Sequence, residues 1–343
     1  MKKYIEKALS FDDILLVPQH SDVKSRKNVD LVMNIGRDNR LINLGLPIIA
    51  APMDTVCDEY MSVVLANMGA TGSIHRYMSN EQQINIARNL REDGYINNFF
   101  AIGATGDFFE HAQKLVGEGV SCLIVDTANG HSEIAIRAVE RLRELPVHIM
   151  AGNVSTWEGF KRLSDAGADS IRVGIGGGSA CTTRIVTGHG IPTLASIMDI
   201  VEHRKDTDAS IIADGGIRNS GDAVKAFAAG AHAVMLGSVL AGHDESPGET
   251  HYDSNGNPIS KEFRGMASAD AQHSRGYVSV VEGVSTVIPY KGTVVNTLIS
   301  FENGIKSGIS YSGIDKLSDL SVECMYVEVS SLAKGESIPH AIK

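Results

Sequence analysis

Short apolar runs rich in Val, Ile and Ala recur along the chain, and each is followed by a longer amphipathic stretch. The run at 47–50 precedes 58–68, that at 70–74 precedes 80–92, 99–102 precedes 108–118, and 121–126 precedes 131–143. In the same way 147–151 precedes 156–166, 169–174 precedes 193–204, and 210–214 precedes 219–229. The run at 231–236 is followed by a long irregular segment and then by a last helical stretch near 293–308. A continuous apolar run implies a strand buried on both faces, as in a parallel sheet. Eight strand–helix units over roughly 250 residues predict an α/β fold, a closed (β/α)8 TIM barrel in one domain, with its active site at the C-terminal ends of the strands. A doubly wound dinucleotide fold is the alternative, but no GxGxxG follows the first run. Ser132, Ser155 and Asn219 read as helix N-caps, and Pro192 stands where it could open a helix. The polar stretch Gly248–Lys261 reads as a surface hairpin or loop. Residues 266–281 show no clean period, and a long loop of that kind is functional or disordered.

Composition narrows the function classes. A net charge of −10 over 343 residues disfavours nucleic acid as a partner, which would need a basic face. It leaves room for a phosphate site, because backbone N–H groups at a helix start bind phosphate without net positive charge. The four cysteines, Cys57, Cys122, Cys181 and Cys324, form no CxxC pair and no metal spacing, and they fit a reducing compartment. No apolar signal segment follows Met1 and no window approaches the roughly 20 apolar residues of a membrane span, so a cytoplasmic protein without membrane contact is expected.

The residues that follow the predicted strands are the site candidates. They include His75-Arg76-Tyr77, Asp126 to His131, Gly152-Asn153, the loop Gly174 to Arg184, Asp214-Gly215-Gly216 and Gly237-Ser238. Loops after strands seven and eight often hold phosphate in this fold, and Ser179 adds a hydroxyl nearby. Asp214 is then available to sugar hydroxyls. Cys181 lies in a loop with four glycines, an unusual place for an inert core cysteine. A nearby cation or oriented N–H groups would raise its thiolate fraction. His75, Asp126, His131 and His243 could be read as ligands of a metal hydrolase, but the paired histidines of such sites are not evident.

The loop GIGGGSACTTR (174–184) resembles the cysteine loop of the IMP dehydrogenase and GMP reductase family. LSFDDILLVPQHS (9–21), APMDTV (51–56), IHRYMS (74–79), AGNV (151–154), IIADGGIRNSGD (211–222) and VMLGS (234–238) are similar to family segments as well. One departure is Gly177, where the family usually has proline. The resemblance implies a covalent bond from Cys181 to C2 of a purine nucleoside monophosphate, with Thr183 and Glu282 moving protons. It implies nucleotide contacts from Ser179, Asp214, Gly215, Gly216, Gly237, Ser238, Gly265, Met266 and Ala267. It implies a nicotinamide cofactor near Ser25, Arg26, Arg76, Asp126, Thr127, Ala128, Asn129, Ile175, Gly176, Ser307 and Ser310. A monovalent cation, potassium in kind, would be held by Gly176, Gly178, Cys181 and Arg184, and the assembly would be a homotetramer.

Within the family the resemblance favours the reductase branch, which uses NADPH to convert GMP to IMP and ammonia. Residues 76–98 leave no room for an inserted regulatory domain pair. AGHDESPGET (241–250), SGISYSG (307–313) and Val23-Lys24-Ser25-Arg26 are reductase-like. The flap around 266–282 is short, and it carries Arg275-Gly276-Tyr277 in place of an adjacent Arg-Tyr pair. LLVPQHS, APMDTV and GESIPH (335–340) look more like the dehydrogenase, so a dehydrogenase without its regulatory domains is the alternative. A barrel that binds nucleotide without catalysis is the non-enzymatic reading.

Overall fold

Alternate residues of eight short strands face two different cores. The computed structural model describes residues 3–205, 208–273, 280–322, 324–330 and 333–337. The Arg275-Gly276-Tyr277 segment and residues 338–340 lie outside the described residues. The strands are β1 (Ile48–Ala50), β2 (Ser73–Ile74), β3 (Phe99–Ile102), β4 (Cys122–Asp126), β5 (His148–Val154), β6 (Ser170–Val173), β7 (Ser210–Asp214) and β8 (Ala233–Leu236). They form one parallel sheet in the order β1-β8-β7-β6-β5-β4-β3-β2. Thr71, just ahead of β2, closes the barrel: its carbonyl accepts the Ala50 N–H at 3.0 Å and its own N–H donates to Ile48 O at 3.1 Å.

Inward positions such as Ile49, Phe99, Cys122, Ile124, Met150, Ile212 and Met235 build the barrel interior. Their neighbours one residue along, among them Ile48, Phe100, Leu123, Ile149, Ile171, Ile211 and Val234, join the larger core under the helices. This period of two is what a pleated strand buried on both faces imposes.

The helices fall where the amphipathic stretches predict them: α1 (Glu59–Asn67), α2 (Asn80–Glu92), α3 (Phe108–Gly117), α4 (Glu133–Leu142), α5 (Trp157–Ala166), α6 (Thr193–His203), α7 (Ser220–Ala228) and α8 (Val294–Tyr311). Ser132 caps α4 and Asn219 caps α7, each accepting an N–H three residues on. Ser155 does not cap α5. Thr156 does, because its hydroxyl is the one in reach of the Gly159 N–H, three residues ahead. The Ser155 hydroxyl is buried instead.

Two additions to the barrel position the site. A hairpin, Met33–Ile35 with Ile42–Leu44, places Ile35, Ile42 and Leu44 in the interior cluster beneath the strands. The expected hairpin after β8 pairs Thr250–Tyr252 with Pro258–Arg264, and Ser285–Pro289 adds a third antiparallel strand. The segment between Arg264 and Ser285 therefore leaves and returns at one point above the barrel.

Candidate active site

The loop after β6 carries Cys181 and is shaped by close backbone contact with the loop after β7. Gly174 has φ +140°, and a Cβ there would sit 2.0 Å from the Asp214 carbonyl oxygen. Gly215 has φ +93°, and its Cβ would meet the Gly177 carbonyl carbon at 3.1 Å. Any larger residue at either place would separate the two loops. Cys181 N–H donates to Gly178 O at 3.1 Å, which closes a turn and presents a half-buried thiol.

The thiol donates to Thr183 Oγ1 at 3.1 Å, and the Thr183 hydroxyl donates to Glu282 Oε2 at 2.8 Å. Glu282 comes from residues far along the chain, yet its backbone is fixed on both sides. Thr182 N–H donates to Glu282 O at 2.9 Å, Glu282 N–H to Ala267 O at 3.0 Å, and Val284 N–H to Ala180 O at 3.0 Å. The other end of this segment is clamped to the loop after β1. Arg264 Nε and Nη2 reach Asp54 Oδ2 at 3.0 and 2.5 Å, and Arg264 N–H donates to Thr55 Oγ1 at 3.1 Å.

A cavity of about 450 Å³ opens over the C-terminal ends of the strands. Cys181, Thr183 and Glu282 line it. So do Ser179, Asp214, Gly215, Gly216, Gly237, Ser238, Gly265, Met266 and Ala267, the whole set expected to touch a nucleotide. Of the expected cofactor residues, Arg76, Asp126, Thr127, Ala128, Ile175 and Gly176 line the same cavity.

The others lie elsewhere in this chain. Asn129 Oδ1 accepts the His131 N–H at 3.0 Å. Ser25 caps the turn Arg26–Asn28, and the Arg26 guanidinium lies 5.5 Å from the Tyr311 ring centre. Ser307 lines a second cavity with Tyr311, and the Ser310 hydroxyl donates to Ser307 O at 2.7 Å. In the expected cation loop, Arg184 Nη2 donates to Ile191 O at 3.0 Å, and its stem packs against Gly176, where a Cβ would meet it at 2.6 Å. Among the described residues no three His, Cys, Asp or Glu side chains converge as metal ligands. The metal-hydrolase alternative thus has no ligand set there.

Along the cavity wall runs a charge network of Arg76, Asp126, Arg172 and Asp214. Arg172 on β6 is 8% exposed. Its Nη1 donates to Asp126 Oδ1 at 2.7 Å, while Nε and Nη2 donate to Asp214 Oδ2 at 3.1 and 2.9 Å. Arg76 Nε takes the other Asp126 oxygen at 3.1 Å. Burial alone would raise the Asp126 carboxyl, but the Arg172 and Arg76 charges outweigh it and hold it below its ordinary range. Asp126, Gly152 and Arg172 lie side by side in the strand register. A Cβ on Gly152 would meet Arg172 Cβ at 2.6 Å, so the glycine makes room for the guanidinium to cross to Asp126.

The family described as "IMP dehydrogenase / GMP reductase domain" matches residues 8–340. The chain belongs to this family. It is 30% identical to an inosine-5'-monophosphate dehydrogenase of Nitrosopumilus maritimus over 475 residues, covering 98% of this chain and 99% of the relative. It is 43% identical to one of Rhizobium tropici over 277 residues, 76% of this chain and 55% of the relative. It is 34% identical to one of Borreliella burgdorferi over 404 residues, 99% and 98%. Among solved structures, a cysteine-to-alanine variant of GMP reductase from Trypanosoma brucei in complex with guanosine 5'-monophosphate superposes with a TM-score of 0.91 at 28% identity, covering 99% of both chains. The alignments to dehydrogenases run to 404 positions in one case and 475 in another, so these relatives differ in how much sequence separates the shared segments. Lack of a long insertion therefore does not by itself separate the two branches of the IMP dehydrogenase / GMP reductase family.

Arg172 and Arg264 are absent from the residues singled out in sequence, and Asp54 entered only as part of the segment APMDTV. Arg172 had a signal, an arginine inside the otherwise apolar strand Ser170–Val173. The clamp had none, since its partners stand more than two hundred positions apart.

Proposed function

We propose that this chain is a GMP reductase that converts GMP to IMP and ammonia with NADPH. The observation that carries the chemistry is the hydrogen-bonded chain from Cys181 through Thr183 to Glu282 on the wall of the cavity. A thiolate at Cys181 attacks C2 of the purine. The 2-amino group takes a proton relayed from Glu282 through the Thr183 hydroxyl and leaves as ammonia, which gives a thioimidate on Cys181. A nicotinamide bound beside Asp126, Thr127 and Ala128 would supply the hydride that replaces the Cys181 sulfur at C2. Gly215, Gly216, Gly237 and Ser238 hold the phosphate through backbone N–H groups, and Met266 and Ala267 flank the base.

The brevity of the segment between Ala267 and Glu282 supports the reductase branch. The Glu282 N–H to Ala267 O bond closes it, so its start and its end sit together above Cys181. A purine monophosphate as ligand agrees with the GMP held by the Trypanosoma reductase. Arg76, which lines the cavity, suits the extra phosphate of NADPH, because a guanidinium binds phosphate through two N–H groups. The carbonyls of Gly176, Gly178 and Cys181 offer the neutral oxygens that a weakly hydrated monovalent cation takes. Among the described residues no helix is long and apolar enough to cross a membrane. A homotetramer is the assembly this reading carries, and light scattering on the purified protein tests it.

A second reading, IMP oxidation to XMP with NAD, is favoured by the dehydrogenase relative 43% identical over 76% of this chain. One assay separates them. Ammonia release with oxidation of the reduced nicotinamide on mixing GMP and NADPH supports the reductase. Turnover confined to IMP and NAD overturns it.

A further inference from the structure

The Asp214 carboxylate is held in an unusual way. Three donors converge on one of its oxygens: Arg172 Nε at 3.1 Å, Arg172 Nη2 at 2.9 Å and Asn153 Nδ2 at 2.8 Å all meet Oδ2. Among the described residues none reaches Oδ1 through a hydrogen bond, although Asp214 lines the cavity. The same Arg172 fork reaches Asp126 with its remaining nitrogen, and Asn153 Nδ2 also donates to Gly174 O at 2.8 Å, the first residue of the cysteine loop. Each holding group thus has a second anchor. The guanidinium cannot swing without releasing Asp126, and the amide cannot turn without releasing Gly174.

We infer that Arg172 and Asn153 are positioning residues that pin Asp214 by Oδ2 and so aim Oδ1 at a ribose hydroxyl, which makes this pair the determinant of ribonucleotide over deoxyribonucleotide preference. The inference rests on the reading that a purine nucleoside monophosphate occupies the cavity. A carboxylate oxygen accepts a hydroxyl well only when its direction is set, and displacement of a binding group by about an ångström can cost a hundredfold. Arginine suits this place because its planar fork meets two carboxylates at once, whereas lysine is a point charge on a flexible stem. The small neighbour Gly152 completes the device, since a side chain there would collide with Arg172.

The test compares dissociation constants of GMP, 2'-deoxy-GMP and 3'-deoxy-GMP by calorimetry in the wild type, Arg172→Lys and Asn153→Ala. A hydrogen bond to a charged acceptor predicts a wild-type preference for GMP over at least one deoxy analogue of about tenfold to a hundredfold. In each variant that preference falls by about threefold or more, because the carboxylate loses its fixed direction. A merely structural role would weaken all three ligands together and leave the ratio unchanged, and an unchanged ratio in both variants overturns the inference. Should Arg172→Lys fail to fold, Asn153→Ala carries the same comparison with the guanidinium intact. Equal binding of all three ligands to the wild type also overturns it, while GMP turnover would still stand. A wild-type ribose preference that falls in the variants, in a protein that does not turn over GMP with NADPH, has the opposite meaning, refuting the reductase and supporting the positioning pair.

Discussion

Removing one hydroxyl, in Thr183→Val, tests the proposed proton relay most directly. Thr183 Oγ1 is the atom that joins the Cys181 thiol at 3.1 Å to the Glu282 carboxylate at 2.8 Å, and no direct hydrogen bond joins the two ends. Valine keeps the branched shape and deletes the bridge. The backbone bonds Thr182 N–H to Glu282 O and Val284 N–H to Ala180 O do not involve the side chain, so Glu282 stays in place. The stability lost is that of a half-buried hydrogen bond, about 1 kcal/mol, small beside the roughly 5–15 kcal/mol of a typical domain. The catalytic loss is larger. General acid–base catalysis contributes about 10²–10⁴ in rate, or roughly 3–5 kcal/mol at about 1.36 kcal/mol per decade. The expected result is a fall in kcat of that size with GMP affinity nearly unchanged. Steady-state oxidation of NADPH gives kcat, and calorimetry gives the GMP dissociation constant. A kcat within about threefold of wild type would refute the relay, and a parallel loss of GMP binding would move Thr183 from catalysis to ligand contact.

Three further outcomes are expected. Cys181→Ala abolishes turnover and leaves GMP binding intact, and near-normal residual turnover would exclude covalent catalysis. At neutral pH an alkylating reagent labels Cys181 before Cys57 and Cys122, because burial pushes both of those thiols up to about 12, and peptide mass spectrometry with and without GMP reads the order. Labelling of the buried pair at a comparable rate would contradict the described packing. His148 and His232 are driven down to about 4 by burial, so each is neutral in the fold and charged in the unfolded chain below its ordinary value. Their contribution is present above about pH 6.5 and is lost as pH falls to about 4, by an upper limit of roughly 3 kcal/mol each. Denaturant melts across that window should show the loss, and His148→Asn should flatten it; an equally steep decline in that variant would remove His148 from the account.

The continuous apolar runs of β1 to β8 and the amphipathic stretches between them made the barrel legible, since a strand buried on both faces is apolar throughout and a helix with one buried face writes its turn into the chain. The Gly-rich loop around Cys181 and the glycines after β7 were legible for a similar reason, because tight backbone approach excludes side chains whatever the distant context. The cap at Thr156 in place of Ser155 was a one-residue matter that local sequence leaves open, as both hydroxyls stand near the same helix start. The hairpin Met33–Ile35 with Ile42–Leu44 was missed because its strands are three residues long and show their apolar character only against the barrel floor.

The order of the elements, the class of fold and the placing of Cys181 in a Gly-rich loop after the sixth strand were therefore set by local pattern. What tertiary structure alone decided is which distant groups meet: Glu282 on Thr183, Arg264 on Asp54, and Arg172 between Asp126 and Asp214. Such pairings follow from barrel closure, which brings the ends of non-adjacent strands within hydrogen-bonding distance around one opening. A one-dimensional pattern records the faces that each segment buries, but the partners across that opening depend on strand register and loop path, and those exist only once the sheet has closed.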